Sequence, residues 1–174
     1  MRAGLPVVLD ASVAVAMVRG DAEAPVAAAT LARFKRDRVR VFVPGHFWLE
    51  VVNTMVRRHG EPGAATIEAI HDLDQSGLET VDADRPLVLS TLDLAERHGL
   101  TSYDAMYLAL AEAVDGYLLT LDHRLRAAAG PRGISLDLRL SETAAPYEYD
   151  VTWPASPGAS AYLASLRAEA VRGT

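Results

Sequence analysis

The sequence predicts an α/β domain built on a central parallel β-sheet. Short apolar runs that read as strands alternate with longer stretches that read as helices, and no internal repeat interrupts the alternation. With 174 residues, half of them hydrophobic, the chain is long enough to bury one proper core and too apolar to be disordered overall.

The elements follow in order. Residues 5–9 (LPVVL) read as a buried strand ending at Asp10, with Asp10 and Ser12 as candidate caps of the next helix. Residues 25–36 are helical. Residues 39–43 are β-branched and aromatic, and Pro44-Gly45 closes them as a strand. Residues 46–59 form a helix with an apolar stripe of Trp48, Val51, Val52 and Met55; His46, Glu50, Asn53, Thr54 and Arg57 form its other side. Residues 60–63 turn, and 64–75 are again helical. Residues 78–81 are a short strand. Helices over 86–98 and 102–114 are split by Gly99, with Ser102 as the expected cap of the second. A strand over 117–121 leads into a short helix over 122–129, and 134–138 form the last strand. Residues 1–140 make the domain. Residues 141–174 make an appendage: a stretch with three prolines and three large aromatics (Tyr147, Tyr149, Trp153), then a weakly amphipathic helical pattern over 161–171. So many aromatics argue that the appendage docks on the domain or its dimer partner.

Composition excludes several classes. There is no cysteine, so disulfides and thiolate metal sites are out. No apolar run reaches the ~20 residues that span a bilayer, and Asp10 breaks the N-terminal apolar stretch, which makes a poor signal peptide. The expected location is the cytoplasm, away from membranes. The net charge of −6 argues against bulk electrostatic binding of nucleic acid. The densest basic run, Arg33, Lys35, Arg36, Arg38 and Arg40, either holds a phosphate backbone or is a solvated helix end and loop.

Four acids stand out. Asp10 and Asp122 each follow an apolar strand and precede a helix, so each is either a helix cap or a ligand-facing group at the carboxyl edge of the sheet. Asp104 opens AMYLALA, a helix apolar on nearly every face; the helix dipole favours an acid there, but a carboxylate at the mouth of a buried helix needs a partner. Glu50 is either solvated or, in the apolar setting FWLEVVN, a fourth member. If the four converge they repel, and a cation must compensate. An all-oxygen set favours Mg²⁺ or Mn²⁺ over zinc and suits in-line hydrolysis of a phosphodiester. Ser12 and Thr120 either orient these carboxylates or act as turn residues. The five histidines show no paired metal spacing, and most are expected at the surface near helix ends. Phosphotransfer domains of the haloacid-dehalogenase type need a second Asp where Ser12 stands, receiver domains need an adjacent acidic pair, and no Walker or GxGxxG loop occurs.

VVLDAS with Asp10, WLEVVN with Glu50, TSYDAMYLALA with Asp104 and LLTLDHRL with Asp122, in this order, resemble the PIN-domain family and within it the VapC-type toxins. The resemblance implies a three-layer α/β/α sandwich and a Mg²⁺- or Mn²⁺-dependent endoribonuclease. Asp10, Glu50, Asp104 and Asp122 would be its catalytic and metal-binding quartet. It also implies a homodimer neutralised by a small cognate antitoxin. The alternative is a silent PIN-like module that only binds RNA or protein.

Overall fold

The computed structural model describes residues 5–136. The expected docking of the appendage therefore lies outside the described residues. Strand β1 (Val7–Leu9) leads through helices α1 (Ala11–Arg19) and α2 (Ala24–Arg36) to β2 (Val41–Pro44). Helix α3 (Phe47–Asn53) continues as a π-helical turn (Thr54–Arg58) before α4 (Gly63–Gln75) and β3 (Leu78–Val81). Helices α5 (Arg85–His98) and α6 (Ser102–Ala113) precede β4 (Tyr117–Leu119), and α7 (His123–Ala129) and a short 3₁₀ turn precede β5 (Gly133–Ile134).

The five strands are parallel, in the order β3-β2-β1-β4-β5. The chain winds outward from β1 to β3, then crosses back to β4 on the other side of β1. Because parallel crossovers keep one hand, connections running in opposite directions place helices on opposite faces, which gives three layers. The reversal also makes a topological switch point between β1 and β4, where ligands bind in open α/β sheets.

The core follows from the apolar runs. Val7, Val8, Leu9 and Leu118 are fully buried, as central parallel strands should be. Helix α6 buries seven consecutive residues, Ala105 to Ala111, because it is packed against β1, β2, β4 and α5. Edge strand β3 is only half-buried. Trp48 Nε1 donates to Thr80 Oγ1 at 2.9 Å, tying α3 to that edge.

Several sequence expectations need correction. The last strand, expected over 134–138, is Gly133–Ile134, and residues 135–136 lie outside it. The N-cap of α6 is Thr101, not Ser102: Thr101 Oγ1 accepts from the Asp104 amide at 3.1 Å. Strand β4 stops at Leu119, because the Leu121 amide goes to Ser12 Oγ and the Asp122 amide to Thr120 Oγ1 instead of a neighbouring strand. The helix expected over 46–59 changes to i→i+5 bonding after Asn53. Beyond Met55 this stretch buries no side chain, so packing no longer enforces the regular spacing.

Strands β1 and β4 start in close contact, with the Tyr117 amide donating to the Pro6 carbonyl at 2.9 Å. A Cβ on Gly116 would stand 2.6 Å from that same carbonyl oxygen. We expect Gly116→Ala to cost about 1–3 kcal/mol through overpacking of backbone against backbone. A thermal melt checks this, and an unchanged midpoint would mean that the strands part freely.

Candidate active site

All four acids expected from the sequence line one cavity of about 810 Å³ at the carboxyl edge of the sheet. They arrive from four elements: Asp10 from the end of β1, Glu50 from α3, Asp104 from the first turn of α6, and Asp122 from the junction of β4 with α7.

Asp10 and Asp122 look alike in sequence and differ in structure. Asp122 caps α7, its Oδ1 accepting from the Arg124 and Leu125 amides at 2.6 and 3.0 Å. Both bonds go to one oxygen, and the residue stays exposed. Asp10 holds the N-cap position of α1 but makes no side-chain capping bond. Its Oδ2 accepts instead from Ser12 Oγ and from Thr120 Oγ1, the latter at 2.7 Å. Those two hydroxyls accept from the Leu121 and Asp122 amides, so the bend after β4 fixes their direction and leaves their protons for Asp10.

Asp10 is only 4% exposed. Burial pushes its pKa from the ordinary 3.8 to about 6, against the two hydroxyl bonds that favour the anion and with the help of the nearby charges of Glu50 and Asp104. Glu50 is also pushed up, first by burial and further by Asp104; the Tyr107 hydroxyl bond and Arg58 pull it down. Asp104 is positioned by Thr101, whose Oγ1 donates to Asp104 Oδ2 at 2.8 Å.

Three contributors were missed by the sequence reading. Tyr107 is fully buried and its hydroxyl donates to Glu50 Oε2 at 2.8 Å. The available signal was a polar hydroxyl inside an otherwise apolar helix, because a buried Tyr hydroxyl needs a partner. Burial, with Glu50 and Asp10 nearby, pushes the Tyr107 pKa strongly up, so it stays a donor.

His46 is an exception to the expectation that most histidines lie at the surface. It lines the acid cavity, and its Nε2 is buried without a hydrogen-bond partner, 3.9 Å from Glu50 Oε2. Burial lowers its pKa, while a hydrogen bond to the Tyr103 backbone raises it.

Arg58 is the only arginine among the described lining residues. A regular helix would have placed Arg57 on the face of His46, Glu50, Asn53 and Thr54. The wider π turn carries the register forward by one residue, so Arg58 follows instead. The Arg33–Arg40 basic run lines no part of this cavity. Arg40 precedes β2, at the opposite end of the sheet, and its Nε donates to Glu79 at 2.8 Å.

Among the described residues, no three of the Asp, Glu and His side chains stand close enough together to grip an ion directly. The donor set nevertheless fits a hydrated hard cation. It is all carboxylate oxygen, the charges of Glu50 and Asp104 add to the burial that raises the Asp10 pKa, and an ion such as Mg²⁺ keeps several waters and takes only one or two carboxylates directly.

The PIN domain family matches residues 7–131, most of the chain and every element from β1 to α7, and the chain belongs to that family. Two curated relatives are similar over short segments. Ribonuclease VapC3 of Pyrobaculum aerophilum is 62% identical over 32 residues, 18% of this chain and 24% of that protein. Ribonuclease VapC1 of Mycobacterium tuberculosis is 62% identical over 34 residues, 20% of this chain and 26% of that protein. The matched segments thus span about a quarter of those relatives. Among solved structures, PAE2754 of Pyrobaculum aerophilum matches at a TM-score of 0.60 and 22% identity, covering 80% of this chain and 89% of that one. Mycobacterium tuberculosis VapC20, described as a sarcin-ricin loop cleaving toxin, matches at 0.55 and 20% identity, covering 70% and 94%. At these identities the structures support the fold.

Proposed function

We propose that this protein is a divalent-metal-dependent endoribonuclease that hydrolyses RNA phosphodiester bonds, and that it is the toxin of a toxin–antitoxin pair. One observation carries the reading: four carboxylates from four elements meet in one cavity at the switch point of a PIN-family sheet, with Asp10 buried and its pKa raised despite two hydroxyl bonds. Retaining such a cluster costs stability unless a cation and a reaction use it. Two relatives that are similar over short segments are ribonucleases by name, which points to RNA.

The residues divide the work. Asp10 and Asp104 are the principal ligands of Mg²⁺ or Mn²⁺, directly or through water, and Glu50 and Asp122 complete the site or position the attacking water. When bound, the ion supplies charge that shields the phosphodiester and makes water more acidic. Ser12 and Thr120 hold Asp10 with one oxygen committed to them and the other left for the ion. Tyr107 holds Glu50, and Thr101 holds Asp104. Arg58 meets a phosphate at the cavity wall, where a guanidinium binds it as a fork.

The partners follow from two surfaces. A groove of about 940 Å³ between α2 and α4, lined by Met17, Ala28, Leu31, Met55 and Ala69, suits an apolar antitoxin segment. Met17 and Met55 in that groove directly follow Ala16 and Thr54 of the acid cavity, so a segment lying in it can send an Arg among the carboxylates. Val88, Leu89 and Leu92 form an exposed apolar stripe on α5 that suits a second copy in a homodimer. Among the described residues no helix is long and apolar enough to cross a membrane. We place the enzyme in the cytoplasm, with its RNA.

The test is incubation of single-stranded and total RNA with the purified chain. Fragments are expected with Mg²⁺ or Mn²⁺ and none with excess EDTA. Equal cleavage in EDTA, or none with either ion, would overturn the nuclease reading. Expression alone should slow bacterial growth, with rescue by the neighbouring gene; normal growth at high soluble yield would remove the toxin role.

A further inference from the structure

Six large hydrophobic side chains are well exposed among the described residues, and only one of them, Tyr103, is aromatic. Tyr103 is 65% exposed and lines the acid cavity, next in the chain to Asp104. Leu49 is 72% exposed, adjoins Glu50 and lines the same cavity. Exposure of two large apolar groups beside four carboxylates is not explained by binding an ion. Nor is it explained by packing, since neither ring nor leucine is covered.

The tyrosine is braced. Its ring meets His46 with centroids 5.6 Å apart at 53°, and His46 in turn meets the buried Tyr107 edge-on at 5.0 Å. His46 also hydrogen-bonds the Tyr103 backbone. A buried ring, a half-buried imidazole and an exposed ring therefore form a row from the core to the cavity mouth. Such a row fixes the outer ring with little entropy left to lose on binding.

Resting on the nuclease reading above, we infer that Tyr103, backed by His46 and flanked by Leu49, is a stacking platform for an unpaired nucleobase next to the scissile phosphate. Single-stranded RNA is recognised largely by splayed bases stacked on aromatic side chains, and stacking tolerates any base because each has a π face. The substrate class is then single-stranded or loop RNA rather than duplex, whose bases are not free to stack on protein. His46 is a positioning residue, acting through its ring contact with Tyr103.

Two readouts test the platform. The first is steady-state cleavage of a short single-stranded RNA by the intact protein in Mg²⁺. Tyr103→Ala should raise KM about tenfold with kcat changed less than KM, while Tyr103→Phe, which keeps the ring, should restore it. The second is the fluorescence of 2-aminopurine in that RNA, mixed with the protein in Ca²⁺. Stacking should quench it with the wild type and with Tyr103→Phe, and not with Tyr103→Ala. Tyr103 is exposed, so these variants should melt as the wild type does. An unchanged KM in Tyr103→Ala, or equal damage in Tyr103→Phe, overturns the platform. Cleavage without quenching overturns it and leaves the nuclease reading standing. Quenching without cleavage keeps the platform and removes the nuclease. Absence of both overturns both.

Discussion

Replacing Asp10 by Asn should abolish RNA cleavage and, in the metal-free protein at pH 7, raise the melting temperature. The structural part rests on burial. Asp10 holds its proton up to about pH 6 when folded and releases it near 3.8 when unfolded. Between those values the native state binds the extra proton, so wild-type stability falls as pH rises through the window. Above about pH 6 the deficit is complete, on the order of 3 kcal/mol for a shift of this size. An asparagine whose carbonyl takes the place of Oδ2 keeps the bonds from Ser12 and Thr120 and carries no buried charge. We therefore expect a gain of about 1–3 kcal/mol at pH 7, shrinking to nothing near pH 3.8. Cleavage should fall at least about a hundredfold, the scale for removing one group that manages developing charge. Thermal melts across pH 3.5–8 (roughly the range over which this carboxyl titrates) and a cleavage assay check both halves. A destabilised Asp10→Asn variant at pH 7 would mean that the carboxylate has a structural counter-charge.

The second large effect is the pH dependence of cleavage. A cation must displace the proton on Asp10 below about pH 6, so affinity should rise about tenfold per pH unit there and level off above it. Glu50 is pushed up as well, first by burial, which can only steepen the acid limb. Cleavage at subsaturating Mn²⁺ should follow that curve, and saturating Mn²⁺ should move the limb to lower pH. A flat profile from pH 5 to 8, about one unit below to two above the Asp10 value, would separate Asp10 from the metal.

Much of the fold was legible because each strand and helix is announced by its own residues. VVL ends at Asp10, LETV is the third strand over the expected residues, and Gly99 divides α5 from α6 in the left-handed conformation that glycine adopts freely. Asp10, Asp104 and Asp122 were legible as strand-end and helix-mouth carboxylates, and Glu50 only by its apolar setting. What sequence could not supply was which way each turns. Asp10 and Asp122 share a strand–Asp–helix pattern, yet one is buried under two hydroxyls and the other caps a helix, a difference decided by Ser12 close by and by Thr120 reaching across 110 residues of chain. Tyr107 was overlooked because a hydroxyl in an apolar helix signals a need for a partner without saying that the partner is Glu50 on another helix. Arg58 was hidden because a π turn shifts the face by one residue, and periodicity arguments assume that the period is constant. His46 was hidden because its role comes from rings on α6, more than 50 residues later.

The central claim is that Asp10, Glu50, Asp104 and Asp122 act as one divalent-cation site. Mn²⁺ binding followed by electron paramagnetic resonance at pH 7.5, on the wild type and on Asp10→Asn, Glu50→Gln, Asp104→Asn and Asp122→Asn, tests it most directly. The account predicts saturable binding to the wild type, the largest losses for Asp10→Asn and Asp104→Asn, and smaller but distinct losses for the other two. Saturable binding of equal strength in all five proteins, or no saturable binding to the wild type, would contradict it.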